Sequence, residues 1–105
     1  LFGAIPGEER AAEELPALIL LDLKMPKVSG LDLLVRLRAE PLTRRIPVVI
    51  FTSSSEERDV LRSYELGANS YVRKPLDYGR LREMVELLGR YWLDLNITPP
   101  PAPPA

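Results

Sequence analysis

Leu18, Ile19, Leu20 and Leu21 run without alternation into Asp22. A strand with one face in water alternates apolar and polar residues, so this unbroken run fits a strand covered on both faces, as in a parallel sheet flanked by helices. The chain continues as Leu23-Lys24-Met25-Pro26. In open α/β sheets ligands and chemistry gather outside the carboxyl ends of the strands, where the run places the Asp22 carboxylate. Asp also opens turns, and this residue taken alone fits either role.

The pattern then recurs. Pro26 to Gly30 read as a loop, with Ser29 as a cap for a helix to about Glu40 that carries the stripe Leu31, Leu34, Val35 and Leu37 and is ended by Pro41. After Arg44 and Arg45, Pro47 introduces a second buried strand, Val48 to Thr52. Thr52, Ser53, Ser54 and Ser55 followed by Glu56 and Glu57 signal a helix start, hydroxyls capping and carboxylates against the positive end of the helix dipole. Capping accounts for the serines, whereas Thr52 belongs to the strand. That helix runs to about Leu66, with Gly67 as its left-handed stop. Ser70 to Lys74 form a third strand closed by Pro75, and from Tyr78 the residues Leu81, Met84, Val85, Leu88, Trp92 and Leu95 recur at helical spacing. Strands alternating with helices specify parallel strands joined by right-handed crossovers.

The chain's ends say less. Residues 1–17 carry an acidic segment, Glu8 to Leu15, long enough for about two helical turns. Glu8, Glu9, Glu13 and Glu14 fit a solvated helix face better than a cation site. The final residues, 97–105, end in PPPAPPA, which fits a polyproline II spacer in solvent better than a ligand for a proline-binding partner.

Composition removes whole classes of chemistry. The 105 residues contain neither cysteine nor histidine, so disulfides, zinc clusters, thiol nucleophiles and histidine-dependent triads are excluded. Any nucleophile is a carboxylate or a hydroxyl. A net charge of −1 leaves no electrostatic footprint for nucleic acid. No apolar run approaches the roughly 20 residues of a membrane helix, and LFGAIPG lacks a basic leader, so no membrane association and a cytoplasmic location are the expectation.

Parallel strands bring their carboxyl ends to one edge, where Asp22, Thr52 and Lys74 can converge. A carboxylate can attack phosphorus and hold it as an acyl phosphate. A lysine ammonium can neutralise phosphoryl oxygens, and a threonine hydroxyl can donate to one of them. Transfer of this kind also uses a divalent ion, for which Asp22 and the Lys24 backbone carbonyl are the available pieces. The alternative for Asp22 and Lys74 is a salt bridge at the sheet edge, and for Tyr71 half-buried packing.

Asp22 in LLDLKMP with Gly30 after it, Thr52 in PVVIFTSS, and Lys74 with Pro75 in SYVRKP resemble the signature of response-regulator receiver domains of two-component signalling. The resemblance covers about residues 15–95, and DVLRSYELGANSYVRKP with RYWLDLNITPP is most similar to single-domain regulators that partner bacterial phytochrome kinases. It implies a flavodoxin-like α/β fold and a sensor histidine kinase as partner. It makes Asp22 the phosphoacceptor, Thr52 the switch hydroxyl, Tyr71 the switch aromatic and Lys74 the phosphate contact. It also implies a cis bond before Pro75, Mg²⁺ as cofactor, and a phosphoacceptor that assists its own phosphorylation and dephosphorylation rather than an enzyme.

The sequence departs from that pattern at its start. Receivers open with a strand ending in an acidic pair that helps hold Mg²⁺, followed by a helix and an edge strand. Here residues 1–17 match the helix and loop before the third receiver strand, residues 18–96 form the partial core, and the sheet order 2-1-3-4-5 is reduced to strands 3, 4 and 5. The expectation is a chain lacking its N-terminal part, with weak Mg²⁺ binding and slow or absent phosphorylation. Leu87 and Tyr91 widen the stripe of the final helix beyond a sheet contact, which suggests a homodimer through the family's helix 4, strand 5 and helix 5, with Leu87, Tyr91 and Trp92 on the dimer face. The competing function is a receiver-shaped interaction module without the chemistry. A phosphohydrolase would want a second carboxylate two positions after Asp22, where Lys24 stands.

Overall fold

The computed structural model describes residues 15–100. The acidic segment before Leu15 and the last prolines lie outside the described residues. Three parallel strands, β1 (Ile19–Leu21), β2 (Val48–Thr52) and β3 (Ser70–Arg73), pair in chain order with β2 in the middle. The helices α1 (Gly30–Ala39) and α2 (Glu57–Glu65) form the crossovers, and α3 (Tyr78–Gly89) follows β3. This is the parallel sheet with flanking helices that the resemblance implied, over the segments it matched to the third, fourth and fifth strands.

Burial explains why the strands show no alternation. In register, Ile19 lies beside Val48 and Leu21 beside Ile50, and these four pack with Leu34 and Leu37 of α1, Ile46 and Ala68. The residues between them, Leu18, Leu20, Val49 and Phe51, point to the other face, where Leu81, Met84, Val85 and Leu88 of α3 cover them together with Trp92. Every residue of β2 is buried. Truncating Ile50 to Ala removes contacts on a closed face and costs about 2–5 kcal/mol.

The helix ends differ from expectation in instructive ways. Ser29 stands at the N-cap of α1, but its side chain makes no capping bond. The chain instead folds back on itself, with a lone antiparallel bridge between Lys24 and Ser29 and the Gly30 amide donating to the Leu23 carbonyl. At α2 the N-cap is Glu56. The capping chemistry comes from Ser54, whose hydroxyl accepts from the Glu56 amide at 3.3 Å, while Ser55 is exposed. Gly67 ends α2 as expected, at φ +106°, with its amide bonded to the Tyr64 carbonyl and that of Ala68 to the Ser63 carbonyl. That paired closure requires a left-handed residue, which glycine adopts without steric penalty.

The last helix changes type. Residues Arg90–Leu95 form a π-helical stretch in place of further α-helix. Trp92 stays half-buried against the core, edge-on to Tyr91 at 5.1 Å between ring centroids. The wider turn carries Leu95 off the buried stripe, leaving it 73% exposed. Val35 likewise faces outward on α1, where Leu33 packs against the core instead. No helix among the described residues is long and apolar enough to cross a membrane.

Candidate functional site

The carboxyl ends of the three strands meet at one edge of the sheet. Asp22 follows β1 directly and is held by its surroundings. The Lys24 amide donates to Asp22 Oδ1 at 3.0 Å, a short turn that fixes the carboxylate. Gly30 lies so close behind that a Cβ there would collide with the Asp22 carbonyl oxygen and with Leu23 Cα. No residue with a side chain fits at Gly30 without shifting the Asp22 backbone.

Lys74 reaches Asp22 from β3, across the intervening strand. Its amide donates to the Thr52 carbonyl at 2.7 Å, tying the ends of β2 and β3 together, and its Nζ lies 2.7 Å from Asp22 Oδ2. The stem crosses Phe51, with Nζ 5.9 Å from the ring centroid. Roughly a third of each charged side chain is open to water. Solvent therefore screens the pair, and the same opening leaves it accessible to an incoming anion.

Thr52 completes the group. Its side chain is fully buried, and its hydroxyl finds no hydrogen-bond partner among the described residues. It lies close enough to Asp22 to favour the charged carboxylate without meeting hydrogen-bond geometry. Burial pushes the Asp22 pKa up, but the Lys74 hydrogen bond, the Lys24 amide, Thr52 and the Lys74 charge together outweigh it, and the net shift is downward. Asp22 is thus ionised, as a nucleophilic carboxylate must be.

Tyr71 is the second residue of β3, beside Ile50 on the α1 and α2 face. Its hydroxyl donates to the Ser54 carbonyl at 2.9 Å. Burial raises its pKa, the Ser54 bond opposes this, and the charges of Asp59, Glu56 and Asp22 add to the rise, so the phenol stays protonated as a donor. Ser54 is itself 6% exposed, and its hydroxyl donates to Asp59 Oδ2 at 2.6 Å.

The expected residues thus fall in two groups. Asp22, Thr52 and Lys74 converge, and Tyr71 joins them through the turn after β2. One expectation is corrected: the Lys74–Pro75 bond is trans, as are all peptide bonds of the described residues, in place of the cis form that the resemblance implied. Trans is the lower-energy form of an X-Pro bond by about 0.5–1 kcal/mol. On the final helix Leu87 and Tyr91 are exposed, whereas Trp92 spends most of its surface on the core. One contributor was not legible. Asp59 is one of several acids near the start of α2, and the only hint of its role is its place in the first turn after a serine cluster.

A divalent cation is a poor match to the residues described. Such ions are held through oxygen ligands, commonly one or two carboxylates with waters. Among the described residues no cluster of three or more acidic or other metal-ligating side chains exists. Both Asp22 oxygens already accept hydrogen bonds, from Lys24 and Lys74. Asp22 and the Lys24 carbonyl alone do not make the site.

Comparison with known proteins gives these features a family. Residues 7–86 match the response regulator receiver domain. The chain is 40% identical over 94 residues to the probable methanogenesis regulatory protein FilR2 of Methanothrix harundinacea, covering 90% of this chain and 61% of that protein. It is 42% identical over 84 residues to the response regulator Rcp1 of Synechocystis, covering 80% of this chain and 57% of that protein. The Mn²⁺-bound crystal structure of Rcp1 superposes with a TM-score of 0.75 over 82% of this chain and 62% of that one, at 41% identity. The phosphorylated cyanobacterial phytochrome response regulator RcpA superposes with a TM-score of 0.79 over 83% of this chain and 62% of that one, at 36% identity. The chain spans about three fifths of the length of these relatives. With the carboxylate, the hydroxyl and the ammonium at one sheet edge and this similarity across most of its length, the chain belongs to the response regulator receiver domain family.

Proposed function

We propose that this chain accepts a phosphoryl group on Asp22 from a phosphohistidine of a sensor kinase and signals through protein contacts. The observation that carries this reading is the 2.7 Å approach of Lys74 to Asp22 beside a buried hydroxyl with no partner among the described residues. An Asp22 oxygen forms the new O–P bond as the donor N–P bond breaks, and the electron pair leaves with the imidazole nitrogen, which takes up a proton. Lys74 shifts from the carboxylate to a phosphoryl oxygen, and the Thr52 hydroxyl donates to another. The donor class is a phytochrome-type kinase, in line with the similarity to Rcp1 and RcpA. Near-neutral net charge fits a cytoplasmic partner-binding role without nucleic acid.

The experiment is labelling with acetyl phosphate in the presence of Mg²⁺, followed by mass spectrometry of the intact chain. One phosphoryl group is expected on the wild-type chain and none on Asp22→Asn. Labelling at the same level in both would reject the assignment. Because the described residues supply one carboxylate, labelling is expected to be slower than in a receiver with an acidic pair. A rate equal to that of such a receiver would show that carboxylates are not limiting.

Output runs through the surface of α2, β3 and α3. Leu87 at 63% exposure and Tyr91 at 50% lie on it as a second apolar stripe, with Trp92 bracing Tyr91 from beneath. The occupant is a second copy of this chain. Light scattering at high micromolar concentration should give a dimer that Leu87→Glu with Tyr91→Glu dissolves; a wild-type monomer would end the proposal. The single carboxylate favours one further reading, a receiver-shaped module that dimerises without phosphate chemistry. In that case Asp22→Asn leaves dimerisation unchanged with a phosphodonor present.

A further inference from the structure

The turn between β2 and α2 is tied down at both ends by groups outside the phosphoryl site. Ser54 is nearly buried and makes three hydrogen bonds in three directions. Its hydroxyl donates to Asp59 Oδ2 at 2.6 Å and accepts the Glu56 amide at 3.3 Å, while its carbonyl accepts the Tyr71 hydroxyl at 2.9 Å. The Asp59 end is anchored as well, because its carbonyl accepts from the buried Ser63 hydroxyl at 2.7 Å, one helical turn further into α2. The line Ser63, Asp59, Ser54, Tyr71 therefore joins the body of α2 to the middle of β3. It passes through the residue two positions beyond Thr52.

We infer that Asp59 is a positioning residue: by clamping the Ser54 hydroxyl, it holds the Ser54 carbonyl where Tyr71 can donate to it and so sets the resting position of the Tyr71 ring. A charged acceptor makes this the shortest and strongest bond of the turn. The main chain between Thr52 and Ser54 is a single residue, Ser53, which is exposed. Any movement of Thr52 towards Asp22 pulls on the clamped turn, and the clamp resists it. Asp59 therefore biases the balance between two positions of the turn without touching the reacting atoms. The link to Asp22 rests on the phosphoacceptor reading above; the clamp on Tyr71 does not.

The test separates the two. Tyr71 is followed by its rate of nitration with tetranitromethane, mapped by peptide mass spectrometry, in the full chain without phosphodonor. Freeing the phenol from one hydrogen bond should raise its rate about three- to tenfold. The rise is expected in Asp59→Asn and in Ser54→Ala. Ser54→Ala keeps the Asp59 charge and the Ser54 carbonyl, so an increase there reports position and not electrostatics. Ser54→Thr restores a hydroxyl and should return the rate towards wild type. The double variant should react no faster than either single one, since both break the same link. A thermal melt of each variant shows whether the fold is intact at the reaction temperature.

An unchanged nitration rate in folded Ser54→Ala overturns the clamp, as does a rise in Asp59→Asn alone. With acetyl phosphate added, the wild-type rate should also rise. If it stays flat while the variants still react faster, the clamp holds and the coupling to Asp22 falls.

Discussion

The two ends of this small sheet use polar groups in opposite ways. At the amino end Arg38 is an anchor with all three guanidinium nitrogens bonded. Its Nε donates to the Gly67 carbonyl at 2.9 Å, one terminal nitrogen donates to the carbonyls of Ile46 and Arg44 at 2.8 and 3.1 Å, and the other donates to Asn69 Oδ1 at 2.8 Å. Asn69 in turn brackets Val48, its amide donating to the Val48 carbonyl and its Oδ1 accepting the Val48 amide. One guanidinium thus fastens the loops entering β2 and β3, and burial lowers its pKa from a value so high that it remains charged. At the carboxyl end a buried hydroxyl goes without a partner among the described residues, and the ion pair of Lys74 with Asp22 is part-open to water. One end engages all three guanidinium nitrogens of Arg38; the other leaves a buried hydroxyl without a partner among the described residues and an ion pair open to solvent.

If that contrast is right, the same kind of truncation should have opposite consequences at the two ends. The largest effect is expected for Arg38→Ala, which strands several carbonyls and should cost about 2–4 kcal/mol in urea unfolding. Arg38→Lys should recover only part of this, because an ammonium cannot reproduce the fork. A loss below about 0.5 kcal/mol would place the anchor on the same footing as an ordinary surface arginine. Gly67→Ala comes next. Its φ of +106° disfavours any side chain, and the new Cβ would press on the Arg38 stem at 3.0–3.3 Å, so a loss of about 1–2 kcal/mol is expected in the same assay.

At the carboxyl end Thr52→Val removes a hydroxyl that bonds to nothing described, and stability should hold or rise by up to about 1 kcal/mol. A clear loss would reveal a partner for that hydroxyl and erase the contrast. The smallest effect is the pH dependence at Asp22. Its folded pKa lies below the unfolded value near 3.8, so the stability it contributes is complete above that value and is lost as pH falls through the folded pKa. Solvent screening keeps the contribution under about 1 kcal/mol. In Lys74→Ala the burial penalty meets less opposition, and this acid-side loss should shrink or reverse sign, measurable as unfolding midpoints between pH 2 and pH 6, a range of about two units either side of 4.

The two ends were also unequally visible in the sequence. Asp22, Thr52 and Lys74 could be found because each stands at the end of a segment that reads as a strand, and parallel strands must bring such positions together. β2 matched its expected bounds of Val48 to Thr52 because a central strand buried on both faces leaves no alternation to misread. Arg38 left no such trace. It sits among the exposed arginines Arg36, Arg44 and Arg45, and its partners come from the loop before β2 and from the return of the chain at Gly67 and Asn69. The clamp at Ser54 was half legible: a serine cap was expected, but its bond to Asp59 and its carbonyl's bond to Tyr71 depend on how β3 lies beside β2. The π-helical end of the last helix was not legible, because Trp92 keeps helical spacing from Leu88 in either helix type.

Because β1, β2 and β3 pair in chain order, the molecule is two overlapping βαβ units that share their middle strand. Neither unit can form without β2, and each closes through a single crossover. The amides of Val49 and Ile50 should therefore be the last to exchange with deuterium, opening only when the whole domain opens. Among the described residues, neither βαβ unit is expected to melt while the other stays folded.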